Sequence, residues 1–227
     1  MEASLLTPLQ HAVLDAVFAA GLGERGYYLT GGTALAEFYL KHRYSDDLDL
    51  FTRKKALPLE DLRLAEVAFD QLGLDVTRQT QDDQFARVFL VSSGSSENLK
   101  VEFGRDAGAM MAPPLRPGPV VVDSLEDIAV NKVCAILGRE EPKDFCDLYF
   151  ILTESAFTLD YLISRAREKE GAFDGEDGIL RFAVALLRAK DMPMLPRMVK
   201  SLTLPQLSHF LVPEAEELIR RLRPDRG

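Results

Sequence analysis

The chain has 227 residues, of which 47% are hydrophobic and 28% charged, a balance typical of a folded globular protein with one domain or two small ones. The formal net charge of −9 argues against a surface that coats nucleic acid broadly. No apolar run approaches the ~20 residues that a membrane helix needs, so we expect no membrane partner. Cys134 and Cys146 lack metal-ligand spacing, and we expect both to be small buried residues in a reducing cytoplasm.

The predicted elements divide the chain at a proline-rich segment, MAPPLRPGP, at residues 111–119. Hydrophobic periodicity predicts helices before this segment at 8–20, 32–42 and 58–72. Period-two alternation and β-rich composition predict strands at 27–30, 47–51, 74–80, 85–92 and 98–104. GSSEN has the composition of a turn, so the last two strands are expected to form a hairpin.

After the proline-rich segment, the chain is predicted to be almost entirely helical. The predicted helices are 124–137, 142–153, 159–170, 176–190 and 204–222. The sequence therefore predicts an α/β domain over residues 1–118 and an α-helical domain over residues 119–227.

Three carboxylates are the first candidates for chemistry. In the strand DLDLF, Asp47 and Asp49 share one face because side chains two residues apart in a strand point the same way. In LKVEF, Lys100 and Glu102 share the face opposite the apolar residues. Taken alone, this spacing favours a solvated sheet face. If the two strands are neighbours, the three acids repel one another unless a cation such as Mg²⁺ or Mn²⁺ lies between them.

Two adjacent glycines, Gly31 and Gly32, stand where a predicted strand turns into a helix. Such a turn lets the backbone approach a ligand closely and directs free N–H groups at an anion. Thr33 could cap this helix or offer its hydroxyl to a phosphate. The alternative is a tight turn that only needs a positive φ. If strand 27–30 lies beside strand 47–51, the glycines and the acids share one end of the sheet.

The stretch GGTALAEFYLKHRYSDDLDLF resembles the opening motif of the DNA polymerase β-like nucleotidyltransferase superfamily, in which Glu102 would be the third acid. Its residue pattern is most similar to that of the AbiEii/AbiGii toxin family of type IV toxin–antitoxin and abortive-infection systems. DIAVNKVCAILGREEPKDFCDLYFIL, at 127–152, extends the resemblance through a lysine helix and a K-D-x-x-D-L helix. The resemblance implies an α+β fold, in which a polymerase-β-like mixed-sheet domain precedes a helical domain.

The resemblance also implies further site residues. Lys132 lies in an apolar helix stripe with Ile128 and Ile136, where it either snorkels to solvent or neutralises the charge of the triphosphate or of the three acids. Asp144 is expected to line the site near Lys132, and Ser45 is counted among the nucleotide-binding residues with Gly31, Gly32 and Thr33. Asp147 and Arg139 are further candidates, for which helix-start electrostatics and a solvated arginine are the alternatives.

These observations together predict a metal-dependent nucleotidyltransferase in which Asp47, Asp49 and Glu102 hold one or two ions of Mg²⁺ or Mn²⁺. The substrate is a nucleoside triphosphate, and Glu102 could accept the proton of the attacking hydroxyl. The acceptor is an RNA 3′ end such as that of tRNA, a protein hydroxyl or a small molecule, and the resemblance implies a cognate antitoxin. The alternatives are a non-enzymatic nucleotide- or partner-binding protein and a kinase-like phosphotransferase on the same fold.

Overall fold

A computed structural model of the protein describes residues 3–92 and 98–222. The chain forms two compact units, and neither is one continuous segment. The first comprises Met1–Tyr39, Tyr44–Ala107 and Ala112–Ser124, and the second Leu40–Arg43, Gly108–Met111 and Leu125–Gly227. The domain boundary after residue 118 remains a prediction, whereas the two units change over between Ser124 and Leu125.

The first unit is built on a five-stranded mixed sheet. The strands are β1 (Tyr27–Thr30), β2 (Asp47–Thr52), β3 (Leu74–Gln81), β4 (Phe85–Ser92) and β5 (Asn98–Arg105). Their order in the sheet is β1-β2-β5-β4-β3, in which β2 and β5 are parallel and every other pair is antiparallel. The antiparallel β4–β5 pair confirms the predicted hairpin partners, while most of the predicted GSSEN turn lies outside the described residues.

In the part of the first unit that the structure describes, there are three α-helices. They are α1 (Pro8–Ala19), α2 (Gly31–Leu35) and α3 (Leu59–Gln71). A capping box starts α1, because Thr7 Oγ1 accepts from Gln10 N at 3.1 Å and Gln10 Oε1 accepts from Thr7 N at 2.9 Å. The single helix predicted at 32–42 is in fact α2 followed by a π-helical turn at Ala36–Leu40. Lys41, with φ 50, ends this helical stretch.

The second unit is helical, with α4 (Leu125–Gly138), α5 (Pro142–Glu154), α6 (Leu159–Lys169), α7 (Gly175–Leu186) and α8 (Leu204–Leu222). Short 3₁₀ turns at Gly171–Phe173 and Leu187–Asp191 flank α7. Each helix buries one apolar face, and the fully buried side chains include Ile128, Phe145, Leu162, Phe182 and Leu207. Sheet and helices together confirm the α+β class. In the described ranges, no helix is both long enough and apolar enough to cross a membrane.

Candidate functional site

The parallel pair β2–β5 brings the three predicted acids together. Asp49 lies opposite Glu102 and Asp47 opposite Lys100 in the register of the two strands. Leu48 and Leu50 of β2 are buried, so Asp47 and Asp49, which alternate with them, point to the other face of the sheet. The strands that carry the acids are therefore neighbours, as the convergence of charge requires. Asp47, Asp49 and Glu102 form what we call the acid patch.

A lysine of β5 holds two members of the acid patch. Lys100 Nζ lies 2.8 Å from Asp47 Oδ2 and 3.1 Å from Glu102 Oε1. Partial burial lowers the pKa of Lys100, but the contacts with Asp47 and then Glu102 outweigh this and raise the pKa above its ordinary value. Alternation in the sequence predicted that Lys100 shares a face with Glu102, but no role was predicted for it.

Glu102 also receives a second cation, because Arg87 Nε of the adjacent β4 donates to Glu102 Oε1 at 2.7 Å. Burial raises the pKa of Glu102, but Lys100 and Arg87 outweigh it and bring the pKa below its ordinary value. A carboxylate with a lowered pKa is a weaker base. Its electrostatics thus suit a cation ligand better than a general base, although the predicted proton-accepting role remains a prediction.

The acid patch has the donor chemistry of a divalent-cation site, since it offers three carboxylates on two adjacent strands. Its present arrangement is not a closed metal site. Within residues 3–92 and 98–222, no group of three or more His, Cys, Asp and Glu side chains is arranged to hold a metal ion. The Lys100 ammonium lies between Asp47 and Glu102, where it takes the place that a shared cation would have. Metal binding by these three acids therefore remains a prediction.

Gly31 is tied to the acid patch through Asp49. Thr30 pairs with Asp49 in the antiparallel β1–β2 register, so the glycine turn and the acids lie at the same end of the sheet. Gly31 has φ +71, and a Cβ atom there would come within 2.0 Å of Asp49 Oδ2. The glycine is therefore needed both for its positive φ and for the space that the Asp49 carboxylate fills.

The other predicted phosphate-binding residues lie around this turn. The N-cap of α2 is Thr30, whose hydroxyl donates to Asp123 at 2.8 Å, so Thr33 is not the cap. Thr33 is buried, and its hydroxyl donates to the backbone carbonyl of Asp47. Gly32 is also buried, and the backbone carbonyl of Ser45 accepts from Gln10 Nε2 at 2.8 Å. The contacts of these residues with a phosphate remain predictions.

Lys132 and Asp144 lie in the second unit and contact each other there. Lys132 is buried, and its Nζ lies 2.7 Å from both Asp144 Oδ1 and Asp147 Oδ2. Burial lowers the pKa of Lys132, but Asp147 and then Asp144 outweigh it and raise the pKa. Arg139 Nε donates to Asp144 Oδ2 at 2.9 Å. Lys132 therefore does not snorkel to solvent, and its predicted contact with a triphosphate remains a prediction.

His42 and Arg43 complete this buried cluster, and neither was predicted from the sequence. His42 Nε2 lies 2.7 Å from Asp147 Oδ1, and Arg43 forks onto both oxygens of Asp147 from Nε and Nη2 at 2.6 and 2.8 Å. Burial raises the pKa of Asp147, yet Lys132 and Arg43 hold it well below its ordinary value. Burial lowers the pKa of His42. The only signal in the sequence was the adjacent His-Arg pair, which no local pattern connects to residue 147.

The fold is shared by solved structures from Helicobacter pylori. A proposed nucleotidyltransferase from Helicobacter pylori matches with a TM-score of 0.60 and 23% identity, covering 98% of this chain and 100% of that one. JHP933 from Helicobacter pylori matches with a TM-score of 0.59 and 22% identity, covering 96% and 95%. An uncharacterized protein of Aquifex aeolicus is 29% identical over 168 residues, which are 70% of this chain and 73% of that protein.

Family membership follows from a match over nearly the whole chain. Residues 12–223 match the family described as nucleotidyl transferase AbiEii toxin of type IV toxin–antitoxin systems. The matched range contains the acid patch, the glycine turn and both helices of the buried cluster, so the predicted resemblance is confirmed. The chain therefore belongs to the AbiEii nucleotidyl transferase toxin family.

Proposed function

We propose that the protein moves a nucleoside monophosphate from a nucleoside triphosphate to a hydroxyl acceptor, with a divalent cation, Mg²⁺ or Mn²⁺, held by Asp47, Asp49 and Glu102. The observation that carries this proposal is the β2–β5 register, in which Asp49 lies opposite Glu102. A cation there would offset the repulsion among the acids and the charge of the phosphates.

The chain's own residues supply positioning. Gly31 leaves room for the Asp49 carboxylate, and the Thr33 hydroxyl fixes the start of α2 to the first residue of β2. The backbone around Gly31 and Gly32 is then set beside the acids, where we propose that the phosphates bind. Lys132 and Asp144 are proposed to contribute to nucleotide binding, as the resemblance of the 127–152 segment to the family implies.

A label at the α-phosphate tests the reaction. We expect purified protein with Mg²⁺ to transfer label from an α-³²P nucleoside triphosphate to tRNA, to protein or to a small-molecule acceptor, and not from a γ-³²P one. Asp49→Ala should abolish transfer while the melting curve stays cooperative. Asp75→Ala, which removes an exposed acid from β3 of the same unit, should retain transfer.

The rival functions give other outcomes in the same assay. Transfer of the γ label alone would indicate a kinase-like phosphotransferase. Saturable nucleotide binding without transfer of either label, over all three acceptor classes, would indicate a non-enzymatic binding protein. An Asp49→Ala protein with full transfer would contradict the role of the acid patch.

Family membership supports a toxin whose effect a cognate antitoxin counters. We expect induced expression to arrest bacterial growth, and we expect Asp49→Ala expressed at the same level to be harmless. Growth arrest by both proteins would separate toxicity from nucleotidyl transfer.

A further inference from the structure

The ammonium group of Lys100 occupies the space between two carboxylates of the acid patch. Lys100 is two residues from Glu102 on the same face of β5, and it pairs in register with Asp47 on β2. A single ammonium thus reaches carboxylates on two strands, at 2.8 and 3.1 Å. Arg87 adds a second positive charge at Glu102 from β4. Two cationic side chains therefore contact two of the three carboxylates, Asp47 and Glu102.

A divalent cation and the Lys100 ammonium would compete for the same oxygens. A metal ion binds carboxylate oxygens directly, and an ammonium at hydrogen-bond distance from Asp47 and Glu102 blocks that approach. The ammonium also repels an incoming cation. Lysine can give way, because its charge sits on a flexible four-carbon stem and its side chain here is 25% exposed.

We propose that Lys100 is a positioning residue that pairs with Asp47 and Glu102 until a divalent cation displaces its ammonium, so that Lys100 sets how tightly the acid patch binds the metal. This inference rests on the proposed function, because it takes the acid patch as the metal site. It adds that the patch is held together without metal and that metal loading requires the exchange of one cation for another.

Two effects of Lys100→Met follow, with opposite signs. Without metal, the variant should melt at a lower temperature than the parent protein, because Asp47 and Glu102 lose their shared cation and repel each other. With metal, the variant should bind Mn²⁺ about 3- to 10-fold more tightly, the size expected when one partly exposed ion pair no longer competes. A residue with only a structural role would not tighten metal binding when it is removed.

The test is a titration with Mn²⁺ alone, in which free Mn²⁺ is read by electron paramagnetic resonance and melting is followed in parallel with and without chelator. Lys54→Met is the matched control, because Lys54 forms a 2.7 Å ion pair with Asp61 in the same unit and is 36% exposed. This control should leave the Mn²⁺ affinity unchanged. Lys100→Arg should bind Mn²⁺ no more tightly than the parent protein, since it keeps the charge.

The outcomes separate this inference from the proposed function. Tighter Mn²⁺ binding by Lys100→Met that disappears when Asp49→Ala is added supports both. Equal or weaker Mn²⁺ binding by Lys100→Met, while the parent protein binds Mn²⁺, overturns the role of Lys100 and leaves the metal site standing. No Mn²⁺ binding by either protein overturns the metal site and the inference with it.

Discussion

Gly31 is constrained both by its positive φ and by the lack of space for a Cβ atom, and a second glycine that has only the positive φ allows the two effects to be measured separately. It has φ +71, and a Cβ atom would overlap the Asp49 carboxylate. Gly73 has nearly the same φ, +69, but a Cβ atom there would meet nothing within 4 Å. Gly73→Ala should therefore cost about 1–2 kcal/mol of the free energy of unfolding from backbone strain alone. Gly31→Ala should cost more than that and should also abolish nucleotidyl transfer. Equal losses and retained transfer in both variants, measured by denaturant unfolding and label transfer, would show that Asp49 tolerates the methyl group.

Lys132 is a second residue whose surroundings change what substitution should do. An apolar stripe around a lysine suggests that methionine would be tolerated. The contacts with Asp144 and Asp147 predict the opposite, because Lys132→Met removes a positive charge that offsets the negative charges of two buried carboxylates. We expect a loss of about 3 kcal/mol in the free energy of unfolding, the lower end for breaking a buried pair, since Arg139 and Arg43 remain. Lys200→Met, which removes the half-exposed partner of Glu154, should cost less than about 1 kcal/mol. A Lys132→Met protein as stable as its parent would contradict the network.

Among the elements, the segment Leu40–Arg43 and helix α5 should respond to pH through His42. This ring is buried against Asp147, Arg43 and Lys132, and its burial lowers the pKa from the ordinary value of 6.5. On acidification the unfolded chain therefore binds a proton at this histidine before the folded chain does. The stabilisation from neutral His42 is complete above pH 6.5 and is lost as the pH falls below it toward the lowered pKa.

The slope of stability against pH measures this effect. Between pH 7 and 5, we expect the free energy of unfolding to fall by up to about 1.4 kcal/mol per pH unit from this one group. His42→Gln should flatten the slope, and His209→Gln, at an exposed position on α8, is the matched control for the loss of a histidine. An unchanged slope in His42→Gln would show that the histidine is protonated alike in the folded and unfolded chains.

Element by element, the sequence predicts what depends on local periodicity. Strands β1 and β4 have the predicted bounds, and α8 spans the predicted 204–222. The π-helical turn at Ala36–Leu40 could not be predicted, because its hydrophobic spacing is that of an α-helix and the difference lies in the backbone hydrogen bonds. The sequence also could not predict that β2 pairs with β5 in parallel. Alternation predicted that Asp47 and Asp49 share a face. It predicted that Glu102 joins them only if the two strands are neighbours, which the structure shows.

At the scale of the whole molecule, the contacts that the sequence did not predict are those between distant residues. His42 and Arg43 meet Asp147 across more than 100 positions, and a predicted boundary at 118 takes no account of that pairing. Lys100 was placed on the face of Glu102 by alternation alone, yet its bond to Asp47 depends on the neighbouring strand. Long-range pairing of charges follows from tertiary packing, which no short pattern encodes.

A truncation tests the discontinuous second unit. A fragment of residues 1–124 carries Leu40–Arg43 and Gly108–Met111 but lacks the helices with which they pack. Met111 N would lose Asp127, and His42 and Arg43 would lose Asp147. We expect the amides of these two segments to exchange rapidly in the fragment and to be protected in the full chain, as measured by hydrogen exchange. Equal protection in both would show that the segments need no partner from residues 125–227.

The same discontinuity sets an order of events on the ribosome. Arg43 emerges 104 residues before Asp147. At a synthesis rate of ~5–20 residues per second, this leaves roughly 5–20 s in which the guanidinium lacks Asp147. Strand β5 is complete well before that interval ends, so the sheet that carries Asp47, Asp49 and Glu102 can assemble first. In a nascent chain, β2 and β5 would thus pair and bring the three acids together before the helices that contact residues 40–43 have been synthesised.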